Sequence, residues 1–242
     1  MFDKRSLYVI LAILVIMSLR TMTGEYLTSL LLTLPAVIIA ITFHEFAHAW
    51  MADRLGDTTP RYQGRLTLNP LAHLDPVGSI LLIFAHVGWG KPVQINPNNF
   101  TSNKSRGTCE ALVSVAGPAM NFIIAIILTV VSMLLTVLAP ETFLYSYAGS
   151  LTGTLIYITL VVNIGLGVFN LIPLPPLDGE KIFRQILPYR AIEWLDRNAY
   201  TLNLIFIVLW VTGLLSIVVA PVIEFVQSAI FWVVGSIIGL FL

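Results

Sequence analysis

Six stretches of this chain stay apolar for about the thickness of a bilayer. A helix needs roughly 20 mainly apolar residues to cross the hydrocarbon core. Residues 6–22, 27–51, 108–138, 150–172, 200–220 and 222–241 each come close. The expected fold is therefore an all-α polytopic membrane protein, one domain over 1–242. Composition agrees: 57% of residues are apolar and 11% charged, where a soluble domain has about 25% charged. So few charges could not cover a soluble surface, and the apolar excess excludes disorder. Thirteen basic and thirteen acidic residues balance, so nothing points to nucleic acid. The single cysteine, Cys109, excludes internal disulfides and a cysteine-based zinc ribbon, and reads as a packing residue at a helix start.

Punctuation sets the connections. Lys4 and Arg5 precede the first stretch, but no small-residue cleavage site follows, so it reads as a retained helix. Ala220-Pro221 separates the last two stretches, and the proline's missing donor predicts a tight hairpin there. Residues 52–107 are rich in Gly, Pro and Asn, and read as a small membrane-associated strand and loop region. Within it, Gly78–Val87 is expected to dip into the membrane or form strands. Trp89–Pro97 is expected to offer a strand edge to substrate. Residues 179–199 read as an amphipathic surface helix. With six spans, twelve of the thirteen Lys and Arg fall on one side, and only Arg20 on the other. The positive-inside rule then places both termini in the cytoplasm. Sequons at Asn99 and Asn103 would face the cytoplasm and are discounted.

The chemistry lies in the second stretch, as His44-Glu45-Phe46-Ala47-His48. Residues four apart share a helix face, so both imidazoles can hold one metal ion. Glu45 lies about 100° round the helix. There it can reach a water on the metal without being a ligand. Three adjacent ionisable groups within a span are costly and need a joint explanation, which two unrelated core histidines do not give. A third ligand must come from the same membrane face. Asp178 qualifies, because the fourth stretch ends there and the prolines at 173, 175 and 176 forbid ordinary helix. The plain alternative is an exposed Asp-Gly turn. His73, Asp75 and His86 are other candidates.

These residues resemble a known family. His44-Glu45-x-x-His48 followed by Asn170-x-x-Pro173-x-x-x-Leu177-Asp178-Gly179 is similar to the paired motifs of the site-2 protease family of intramembrane zinc metalloproteases. Gly117-Pro118-x-x-Asn121 resembles that family's intervening G-P-x-x-N. The resemblance covers roughly 35–180, with a catalytic core about 27–180. It implies the minimal prokaryotic type, without PDZ or CBS domains. It also implies one zinc ion per chain on His44, His48 and Asp178, with Glu45 as base. Asn170 would position substrate or polarise its carbonyl, and Asn121 similarly. The implied reaction is hydrolysis within transmembrane segments of membrane-protein substrates, at a site open to the cytoplasmic side of the cell membrane.

Residue chemistry keeps alternatives beside that. A buried primary amide can join helices as well as donate to an oxyanion; for Asn121 the two are evenly matched, and Asn163 reads as helix glue. Small and polar residues at 117, 121, 163 and 167 would let the third and fourth spans approach the catalytic helix closely. His73 and Asp75 read as loop-capping residues before groups that orient the site. A divalent-metal permease or a non-catalytic membrane scaffold is the alternative function, and self-association is left open. A permease would leave Glu45 without a task and shows no inverted repeat.

Overall fold

The computed structural model describes residues 23–85 and 89–240. Among these the secondary structure is helical: α1 (Gly24–Arg54), α2 (Thr59–Tyr62), α3 (Pro76–Ala85), α4 (Arg106–Leu138), α5 (Pro140–Tyr145), α6 (Tyr147–Asn170), α7 (Asp178–Phe183), α8 (Tyr189–Val211) and α9 (Leu214–Ile238). Among the described residues, four helices are long and apolar enough to cross a membrane: α1 from Leu27, α4, α6 and α9. The expected first span, 6–22, lies outside the described residues, as does His86.

Local chemistry starts and stops these helices. Ser105 caps α4 by accepting the Thr108 amide, and Ser146 caps α6 by accepting that of Gly149. Asx turns at Asn69 and Asn96 start short 3-10 turns at Pro70–Ala72 and Pro97–Asn99. α6 ends just before the proline-rich run at 173–176.

α1, α4 and α6 pack on one another, and α9 lies against α4 and α6. Ala125, Leu160, Ile164 and Val168 form the seam between α4 and α6, closed by Phe122, Ile223 and Ile230. Ala52, Leu55, Cys109 and Val113 form a second core where α1 ends beside the start of α4, so Cys109 packs as expected. Large apolar side chains such as Leu31, Ile217, Phe225 and Trp232 are turned outward. Bilayer, not water, is the solvent for which this surface is suited.

Three expectations are corrected. The hairpin between the last two helices turns at Gly213, not at Ala220-Pro221. Gly213 has φ +73°, a conformation other residues resist, whereas Pro221 sits inside a continuous α9 and forfeits one backbone bond. The expected surface helix over 179–199 is divided, because Pro188 caps a new helix and α8 runs on to Val211. α8 thereby joins a charged half, carrying Arg190, Glu193, Asp196 and Arg197, to the apolar run expected at 200–220. Lastly, no strand forms in the 52–107 region among the described residues. Residues 76–85 are helical, and Trp89–Pro97 contributes only an isolated bridge between Leu74 and Gly90. The extended chain there finds side-chain and loop partners instead of a second strand. Lys91 N–H donates to the His73 carbonyl, Val93 N–H to Glu45 and Asn96 N–H to Asp57.

Candidate metal centre

α1 carries His44 and His48 on one face, and the loop after α6 carries Asp178 to them. The two Nε2 atoms lie 3.0 Å apart, and each is 3.1 Å from Asp178 Oδ2. Their other nitrogens decide what those atoms are. His48 Nδ1 lies 2.7 Å from the Val113 carbonyl, which can only accept, so Nδ1 carries the proton. Asn121 donates Nδ2 to the Ala40 carbonyl and to Asn163 Oδ1, which fixes its oxygen toward His44 Nδ1 at 2.7 Å. His44 therefore also carries its proton on Nδ1. In neutral imidazoles both Nε2 atoms then carry lone pairs, and they face each other and a carboxylate oxygen. Three acceptors this close repel unless a proton or a metal cation lies among them.

The donor set fits a zinc-like ion. Tetrahedral ligands about 2.0–2.2 Å from one ion lie roughly 3.3–3.5 Å apart, close to the observed spacing. His44, His48 and Asp178 are the group of metal-capable side chains that converges among the described residues. Asp178 is not an exposed turn residue, since its side chain is only 18% exposed.

Two glycines make the convergence possible. A Cβ on Gly117 would lie 2.4 Å from His48 Nε2 and 2.6 Å from His44 Cε1, so only a bare backbone lets α4 back the imidazoles. A Cβ on Gly179 would lie 2.4 Å from the carbonyls of Leu171 and Ile172, around which the loop folds to deliver Asp178.

Glu45 stands beside the trio without joining it. Its Oε2 accepts the Val93 amide at 3.0 Å. Two cavities meet at Glu45 and His44. One, about 340 Å³, is walled by aromatic and aliphatic side chains. The other, about 170 Å³, also holds His48, Asp178, Asn170 and Lys181. Asn170 lines both, with one amide hydrogen donated to the Leu166 carbonyl of its own helix. Asn121 lies elsewhere: fully buried behind His44, with its oxygen and both amide hydrogens engaged. It has no donor to offer the cavity, because all of it is spent on holding helices and an imidazole. Asn163 accepts from Asn121 across the helix seam, the helix-joining role expected of it, and donates to the Thr159 carbonyl of its own helix.

His73 and Asp75 stay away from the trio. Asp75 accepts the Gly78 amide at the start of α3, and His73 Nε2 donates to the Thr67 carbonyl. Sequence reasoning missed three participants. The Val113 carbonyl and the Val93 amide are backbone groups, which carry no residue-type signal. Arg65, almost fully buried, donates to the carbonyls of Ala72 and Lys91 and so fastens the loop lying over Glu45. A lone arginine in a polar loop gives no hint of this.

An apolar helix bundle enclosing two histidines, an aspartate and a neighbouring glutamate has the makings of a membrane-embedded metallopeptidase. Comparison with known proteins agrees. The family model described as peptidase family M50 matches residues 32–155 and 137–213. The chain belongs to peptidase family M50, the family of the site-2 proteases. YwhC of Bacillus subtilis (strain 168) is 38% identical over 190 residues, 78% of this chain and 84% of that protein. Rip2 of Mycolicibacterium smegmatis is 31% identical over 161 residues, 64% of this chain and 57% of its own length. MJ0392 of Methanocaldococcus jannaschii is 26% identical over 179 residues, 74% of this chain but 40% of that protein. All three carry zinc-metalloprotease names. No solved structure matches the chain at a significant level.

Proposed function

We propose that this protein is a zinc-dependent intramembrane endopeptidase, cleaving peptide bonds within or near transmembrane segments of other membrane proteins. The observation that carries the reading is the trio of metal-capable donor atoms within 3.1 Å of one another, beside a carboxylate that is not among them. His44, His48 and Asp178 hold one zinc ion per chain. A zinc ion held there would supply Lewis acidity toward a carbonyl and toward the attacking water. Glu45 takes the proton from that water and returns it to the leaving amine. Asn170, with its second amide hydrogen unassigned, donates to the developing oxyanion. Asn121 is a positioning residue that holds the His44 ring and its tautomer. The zinc-metalloprotease names of the relatives support the choice of metal and reaction.

The whole chain, 1–242, acts as one membrane domain with its catalytic core at about 27–180. Six crossings require 6–22 and the whole 23-residue length of α8 beside the four long helices. Basic residues concentrated in the N-terminus, 52–107 and 173–199 support cytoplasmic termini and a site facing the cytoplasm. The test is to purify wild type and Glu45→Gln in detergent, measure zinc, and incubate each with a panel of single-span membrane proteins. About one zinc in both, with cleavage by wild type alone, is the expected result. Cleavage by Glu45→Gln would defeat the role given to Glu45, and absence of zinc would defeat the ligand set.

A further inference from the structure

The larger cavity beside the trio has a wall that the reaction does not use. His44 and Glu45 share this cavity with Trp89 and with Phe169, Phe206 and Trp210, whose ring centroids lie 5.8–6.0 Å apart. Phe206 is 3% exposed, so this wall is packed rather than loose. The cavity is about 340 Å³. A neighbouring cavity of about 320 Å³ shares Trp89, Phe169 and Trp210 with it and continues between α1, α3, α6 and α9. A largely apolar space thus reaches His44 and Glu45.

We propose that this aromatic cavity is a selectivity pocket, taking the bulky apolar side chain of a substrate residue that flanks the scissile bond. The inference rests on the peptidase reading above. A carbonyl presented to the trio belongs to a chain that must be extended locally to be attacked. Its neighbouring residues then lie about 3.3 Å along, with successive side chains pointing to opposite faces. One of them faces the wall that Glu45 and His44 share with the rings. A cavity lined by rings gains most from a large apolar occupant, and an aromatic side chain buries roughly 150–250 Å². Small or charged residues at that position would leave the space unfilled or place a charge against it.

Hydroxamates separate the pocket from the metal, because the hydroxamate group binds zinc and the substituent explores the space beside it. The experiment titrates zinc-loaded full-length protein in detergent with acetohydroxamate, 3-phenylpropionohydroxamate and decanohydroxamate, by calorimetry. In wild type the phenyl compound is expected to bind at least about tenfold more tightly than acetohydroxamate, as its added apolar area predicts. Phe206→Ala and Trp210→Ala should erase that gain while zinc content and acetohydroxamate affinity hold. Trp210→Phe, a milder change, should keep part of it. A naphthyl analogue should regain affinity in Trp210→Ala, which a merely structural role for Trp210 would not produce. Equal binding of the phenyl and methyl compounds by wild type would overturn the inference, as would a phenyl gain that survives both alanine variants. Tightest binding of the decyl compound would assign the cavity to a lipid chain and overturn it too. Failure of acetohydroxamate itself to bind would instead strike the metal-centre reading, and this inference with it.

Discussion

The amide oxygen of Asn121 accepts the Nδ1 proton of His44 at 2.7 Å, while the same amide donates to the Ala40 carbonyl and to Asn163. One side chain therefore ties α1, α4 and α6 together and sets a tautomer. Asn121→Leu removes the acceptor and takes the amide donor away from Asn163 Oδ1. Zinc affinity is expected to fall about 10–100-fold, the usual scale for losing a group that orients a metal-bound histidine. Competition with a chromophoric chelator measures it, and unchanged affinity would show that the His44 ring needs no such support.

Gly117 and Gly165 provide a matched pair. Gly117→Ala drives a methyl group to 2.4 Å from His48 Nε2, whereas at Gly165 the nearest atom is Ile223 Cδ1 at an ordinary 3.7 Å. Gly117→Ala should lose zinc and cleavage. Gly165→Ala should keep both and gain up to about 1 kcal/mol from helix propensity. Zinc content and thermal unfolding of the two variants decide the matter.

Chelation should act on the fold as well as on activity. Without a cation, the Nε2 pair and Asp178 Oδ2 confront one another at 3.0–3.1 Å. Adding zinc to chelator-stripped protein at 100 times its dissociation constant should stabilise it by about 2.7 kcal/mol. His48→Ala should abolish that increment. An unfolding temperature indifferent to zinc would contradict the assignment of these donors.

Acid should loosen the loops that lie over the site. Burial raises the Asp57 pKa, but donors from Thr59, Asn96 and Asn99 outweigh it and hold the carboxyl below its usual range. A depressed folded pKa contributes stability that is present above the unfolded value, about 3.9, and lost as pH falls through the folded value. Protection against hydrogen exchange at 93–99, relative to the intrinsic rate, should therefore fall as pH is lowered below about 4. Asp57→Asn should show raised exchange already at neutral pH and a flatter acid limb. Equal protection in both proteins would rule out Asp57 as the fastening.

Val93 tests the loop directly. Val93→Pro removes the N–H that meets Glu45 Oε2 at 3.0 Å. Zinc content should hold while the cleavage rate falls about tenfold or more, in line with the contribution of a positioned proton-transfer group. A rate equal to wild type would separate this contact from catalysis.

Helices and donors were legible because their signals are local. Spans show as long apolar runs, and His44 and His48 as a four-residue spacing on one of them. Asp178 was legible through its motif and its place at the end of the fourth run. The strand expected at Trp89–Pro97 failed because a strand needs a neighbour, and turn-forming composition cannot say whether one is present. The hairpin moved from Pro221 to Gly213 because an apolar helix tolerates one lost hydrogen bond, while the positive φ at Gly213 breaks the helix and turns the chain.

The sequence by itself determined a helical membrane protein and a set of residues able to hold a metal. It did so through periodicity and residue chemistry, both of which act over a few neighbours. Only the tertiary structure decided which proton each histidine carries, since that depends on Asn121 and the Val113 carbonyl, 77 and 65 residues away. It also decided that Asn121 supports the site from behind while Asn170 faces the cavities, and that Phe169, Phe206 and Trp210 share one wall. Each of those facts is a meeting between helices, and packing across a bundle leaves no mark in the spacing of any one of them.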